Sequence, residues 1–118
     1  MNQYLLLLHE TPAAYAGMSP AEMGAILERY AAWAQALGEQ GVLGPSHKLA
    51  DSGGVHLRRR SGALLATDGP YAEAKDLVGG FFTISAANVD EAKRIAGTCP
   101  HLDIGSNWIE IREVDARA

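Results

Sequence analysis

Tyr4-Leu5-Leu6-Leu7-Leu8 is an unbroken run of five apolar side chains close to the start of a 118-residue chain. Successive side chains of a strand point to opposite faces, so a strand of this composition presents apolar groups on both sides. It therefore demands two coverings rather than one. The run is too short for a membrane span or a signal core, and Met1-Asn2-Gln3 carries no basic residue. Together these lead us to expect a cytoplasmic address and no membrane association.

The first covering follows directly in the chain. Ser19-Pro20-Ala21-Glu22 combines a Ser N-cap, Pro at the first helical position and Glu placed to close a capping box. Met23, Ile26, Leu27, Tyr30, Trp33, Ala34 and Leu37 recur at helical spacing, with Gly38 or Gly41 as the stop. Val42 to Leu49 and Val55 to Leu65 read as strand pieces split by Asp51-Ser52-Gly53-Gly54, and we expect them to pair with each other as an irregular hairpin. Thr67-Asp68-Gly69-Pro70 has turn chemistry, with Gly69 expected at positive φ. Leu77 to Ala86 resumes strand character. Asn88-Val89-Asp90-Glu91 then starts a second helix carrying Ala92, Ile95, Ala96 and Cys99 on one face, ended by Gly97 and Pro100. Trp108 to Val114 alternates, with Ile109 and Ile111 on one face and Trp108, Glu110, Arg112 and Val114 on the other.

This order of strand, helix, strands, helix, strand is the ferredoxin-like β-α-β-β-α-β type: an α+β class, an antiparallel sheet and two helices on one face. Residues 1–118 form a single domain, with no internal repeat or linker. Two helices cover only one face, and Tyr4 to Leu8 with Phe81-Phe82 supply apolar groups to both. A second copy packing sheet to sheet covers the other face, so a homodimer is expected, with a mixed pocket between the sheets. Trp108, Glu110, Arg112, Thr83 and His9 edge that pocket.

Charge and composition exclude several classes. A net charge of −4 and no basic face beyond Arg58-Arg59-Arg60 argue against direct contact with nucleic acid. Cys99 is the single cysteine, which rules out an internal disulfide and suits a reducing compartment. His9, His47, His56 and His101 show no metal-ligand spacing, and there is no Gly-rich phosphate or dinucleotide motif, so neither a metal nor any other cofactor is expected.

Asp68-Gly69-Pro70-Tyr71-Ala72-Glu73-Ala74-Lys75-Asp76, followed by Gly79-Gly80-Phe81, resembles the signature of the DGPF subgroup of the YCII-related family. The opening strand, Tyr30-Ala31-Ala32-Trp33, Cys99-Pro100 and Ile109-Glu110-Ile111-Arg112 extend the resemblance over nearly the whole chain. It implies a dimeric α+β barrel. Members of the YCII group use a His on the first helix and an Asp before Pro at the end of the second, an acid-base pair. Here those positions read Tyr30 and Cys99, a phenol and a thiol that do not replace such a pair at neutral pH without help. The resemblance also implies a link to sigma-factor domains, which such domains accompany in longer chains.

Two functions follow. The first is an enzyme acting by acid-base chemistry on a small organic substrate at the dimer interface, with His9 as base, Arg112 pairing with an anionic group and Asp68 at the head of the signature loop as the third catalytic candidate. Tyr71, Glu73, Lys75, Trp108, Glu110 and Tyr30 are the ligand-binding candidates, the first three as a lid. The alternative is a non-catalytic binding or regulatory module that partners a sigma factor in transcription initiation.

Overall fold

The computed structural model describes residues 1–69 and 76–117. Its strands are β1 (Asn2–Glu10), β2 (Leu43–Lys48), β3 (Val55–Arg60), β4 (Ala63–Asp68), β5 (Leu77–Ala86) and β6 (Trp108–Glu113). The helices are α1 (Pro20–Glu39) and α2 (Val89–Ala96), with short 3₁₀ turns at Pro12–Tyr15 and Pro100–Asp103.

Four strands form an antiparallel sheet in the order β2-β5-β1-β6. With β3 and β4 set aside, this is the ferredoxin-like order, both helices packing on one face. The other face of the four-stranded sheet is covered by nothing in the chain's described residues. One principal extent is only 19 Å, the depth of a sheet and a single layer of helices.

Both helix starts form as their residues dictate. The Ser19 hydroxyl accepts from the Glu22 amide at 3.1 Å while the Glu22 carboxylate accepts from the Ser19 amide at 3.1 Å, closing the box. Gly41, at φ 73°, takes the left-handed position beyond the end of α1. At α2, Asn88 caps the Glu91 amide, but Glu91 reaches back one residue further, to the Ala87 amide. Cys99 lies beyond the helix, at the head of the second 3₁₀ turn. The core sits between helices and sheet: Tyr4, Leu6 and Leu8 of β1, Ile84 and Ala86 of β5, Leu37 of α1, and Ala92, Ile95 and Ala96 of α2.

One pairing differs from expectation. Leu43–Lys48 joins the main sheet beside β5, and the hairpin is made instead by Val55–Arg60 with Ala63–Asp68. The reason is Ser61-Gly62, which breaks the stretch read as one strand. Both residues have positive φ, 49° and 81°, as a two-residue primed turn requires. Asp68 is thus the last strand residue, not the start of a turn. Gly69 is not in the left-handed region; a Cβ there would overlap the Gly53 carbonyl, so close backbone approach is what demands glycine.

Candidate functional site

Strand β1 carries chemistry on both faces at its C-terminal end. Leu8 pairs with Gly80 but His9 pairs with Val78, so Gly79 is an extra residue in β5, a bulge. His9 points to the open face and Glu10 to the helix face.

On the open face, His9 Nδ1 lies 3.0 Å from Asp76 Oδ2 and Nε2 lies 3.0 Å from Glu110 Oε1. Carboxylates only accept, so both bonds form at once when the ring carries two protons. The Trp108 ring stacks on the imidazole, centroids 3.9 Å apart and planes 10° apart, and its Nε1 donates to Asp76 Oδ1 at 3.0 Å. Arg112 NH1 sits 3.7 Å from Glu110 Oε2. Sheet register explains this gathering, because His9 faces Trp108, Leu7 faces Glu110 and Leu5 faces Arg112.

Behind it, between α1 and the sheet, lies a cavity of about 360 Å³. Met23, Ile26 and Leu27 of α1 give it an apolar wall, and Glu10, Tyr15, Tyr30 and His101 converge on it. Its mouth includes Lys48, which donates to Asp51 Oδ1 at 2.8 Å. A Cβ at Gly79 would overlap the Glu10 carboxylate, so the bulge glycine is what lets that carboxylate lie where it does. Burial holds the Glu10 carboxyl above its usual range; Lys48 opposes the shift and Asp51 adds to it.

His101 is fully buried and joins the two faces. Its Nε2 must carry the proton it donates to the His9 carbonyl at 2.8 Å, and burial pushes its pKa down, favouring the neutral ring. Nδ1 is then bare and accepts from the Tyr30 hydroxyl at 2.6 Å. Burial first, and Tyr15 second, raise the Tyr30 pKa, so the phenol keeps its proton. The Tyr15 hydroxyl accepts from Asn107 Nδ2 at 2.8 Å, and its pKa is raised by burial and by Glu10.

Of the candidates read from sequence, His9, Trp108, Glu110 and Arg112 come together on the open face, while Tyr30 lies on the other side of the sheet. Asp68 stands in the separate β3–β4 hairpin, opposite Val55. Tyr71, Glu73 and Lys75 lie outside the described residues. Cys99 is buried, with its thiol pushed up to about 11 by burial. Glu10, Tyr15 and His101 were missed as site residues. Strand parity was the available signal for Glu10, since it falls on the same face as Tyr4, Leu6 and Leu8. Among the described residues no three His, Cys, Asp or Glu side chains are grouped to hold a metal. No described helix is long and apolar enough to cross a membrane.

The fold and the pocket together define a class: a ferredoxin-like α+β domain with a cavity roofed by its first helix. The YCII-related domain model matches residues 2–115, and the chain belongs to that family. An uncharacterized protein of Rhizobium meliloti (strain 1021) is 33% identical over 75 residues, covering 63% of this chain and 60% of that protein's length.

Proposed function

We propose that the chain is an enzyme that moves a proton on a small, largely apolar organic substrate held in the cavity under α1. The observation that carries this reading is the convergence of Glu10, Tyr15, Tyr30 and His101 on one apolar cavity. Desolvation raises the Glu10 carboxyl, which favours the protonated form and so a proton to hand to a substrate. Tyr30, its proton directed at His101, turns its hydroxyl oxygen to the cavity as an acceptor that orients a substrate donor. Tyr30 is bonded here to His101, two residues beyond the buried thiol; both His101 nitrogens are engaged, so this pair positions the cavity wall and Glu10 is left as the proton carrier. His9 has both ring nitrogens engaged and one face covered, so its part is positioning: it holds the strand end whose carbonyl sets the His101 tautomer.

The Asp68 to Asp76 motif supports membership of the DGPF subgroup. We also retain the homodimer: Leu5, Leu7 and Phe81 on the open face call for a cover, and Arg112 and Trp108 then stand at the interface. The test is Glu10→Gln assayed against whichever substrate a screen of small carbonyl and ester compounds identifies. A fall in kcat of roughly 10²- to 10⁴-fold with the fold intact is expected. Unchanged turnover would remove Glu10 from the chemistry and with it this reading.

A further inference from the structure

The β3–β4 hairpin is exposed at all twelve strand positions, so the described residues of its own protomer leave it open. A lone two-stranded hairpin is marginal in water. This one is also amphipathic. Register places Val55, Leu57, Leu64 and Ala66 on one face, with Arg59 and Asp68 at its ends. Val55, Leu57 and Leu64 are 67%, 61% and 61% exposed. A ribbon of this shape with a bare apolar face is stable when that face lies on another surface.

Charge indicates which surface. The chain carries −4 in all; three arginines and one aspartate give residues 55–68 a charge of +2, leaving −6 on the remainder. The arm as a whole is complementary in net charge to the rest of the chain, with Arg58 and Arg60 on the side turned away from Val55 and Leu57. Area argues for reciprocity. Six residues at about 3.4 Å each and two strands about 4.8 Å apart give one face a footprint of roughly 200 Å². That falls well short of the roughly 800 Å² per partner of a stable interface. In a twofold pair, however, every protomer both gives an arm and receives one, and the open sheet face adds to both.

We propose that the β3–β4 hairpin is an arm that lays its Val55-Leu57-Leu64-Ala66 face on the body of a second copy of this chain, with Arg59 of that face beside the copy's acidic groups. The proposal rests on the homodimer reading of the open sheet face. It adds the element that makes the pairing strong, and places the Ser61-Gly62 turn on the partner.

Sedimentation of wild type and of the Leu57→Asp/Leu64→Asp double variant tests it. Both leucines are exposed in the protomer, so the variant folds, and its dimer dissociation constant is expected to rise at least about 30-fold, as burial of unpaired carboxylates demands. Hydrogen exchange of wild type supplies the second reading. Amides of β3 and β4 should be slowed at concentrations where the dimer is populated and should exchange freely on dilution. A wild-type dimer whose dissociation constant is unmoved by the variant, or whose arm amides exchange alike at both concentrations, overturns the arm and leaves the sheet-to-sheet dimer standing. A wild type that stays monomeric at hundreds of micromolar overturns both.

Discussion

His9 and Glu10 are neighbours in sequence and opposites in setting. His9 lies on the bare face of the sheet and gathers partners, two carboxylates and an indole, that consume its hydrogen-bonding capacity. Glu10 lies under α1 and is shifted chiefly by the loss of water. One step along a strand separates a saturated, partly exposed ion cluster from a desolvated acid beside a cavity. Titratable type alone therefore does not assign a role; the face decides, because it sets whether a charge is met by partners or stripped of solvent.

Three experiments press on that difference between faces. The largest effect is expected in the core. Leu6→Ala, at a fully buried position, should cost about 2–5 kcal/mol in chemical denaturation. Leu7→Ala on the open face should cost under about 1.5 kcal/mol in the dilute protomer, where its side chain is only half-buried. Equal costs under dilution would mean that the open face is packed within one chain.

A medium effect belongs to pH. The His101 pKa is lowered in the folded protein, so above about 6.5 the ring is neutral in both states and its contribution is complete. As pH falls through 6.5 the unfolded chain takes up a proton that the folded chain refuses, and stability declines. Glu10 acts with the opposite sign: its raised pKa means the folded state holds the extra proton, so stability declines as pH rises above the normal value of 4.5. Denaturation of His101→Gln between pH 7.5 and 5.5 should show a shallower acid decline than wild type. An unchanged slope would place His101 in contact with water.

The smallest change is Gly79→Ala. Its methyl group pushes the Glu10 side chain away from its present position, a flexible group, so stability should move by no more than about 1 kcal/mol. The carboxyl resonance of Glu10, followed by NMR, should titrate closer to an ordinary glutamate than in wild type. If it titrates identically, the bulge does not hold the acid in place.

Much of the fold was legible because its signals are local. The capping residues at Ser19 and Asn88, the α1 stripe and the alternation from Trp108 carry their own physics, and all three formed. The error at Val55 to Leu65 came from reading Ser61-Gly62 as strand interior, although a two-residue turn with Gly second is a recognised hairpin signal. Assignment of Leu43–Lys48 to β5 rests on a contact between residues some forty positions apart, which no local pattern encodes. The open-face cluster of His9, Trp108, Glu110 and Arg112 followed from alternation alone. The cavity did not, because its acid, phenols and imidazole come from β1, both 3₁₀ turns and α1, and only the closed fold brings them together. Asp76 likewise joins His9 across 67 positions.

Cys99 makes the chain its own stopwatch. The thiol is 2% exposed and its pKa is pushed up to about 11, so an alkylating reagent at neutral pH meets almost no thiolate until the second 3₁₀ turn opens. With no other cysteine in the sequence, every labelling event reports that opening. The modification rate, compared with that of an unfolded peptide, gives the free energy of local unfolding beside His101. The same shift has a cost in base: between about 9 and 11 the folded chain retains a proton the unfolded chain has released, so alkaline solutions loosen this corner.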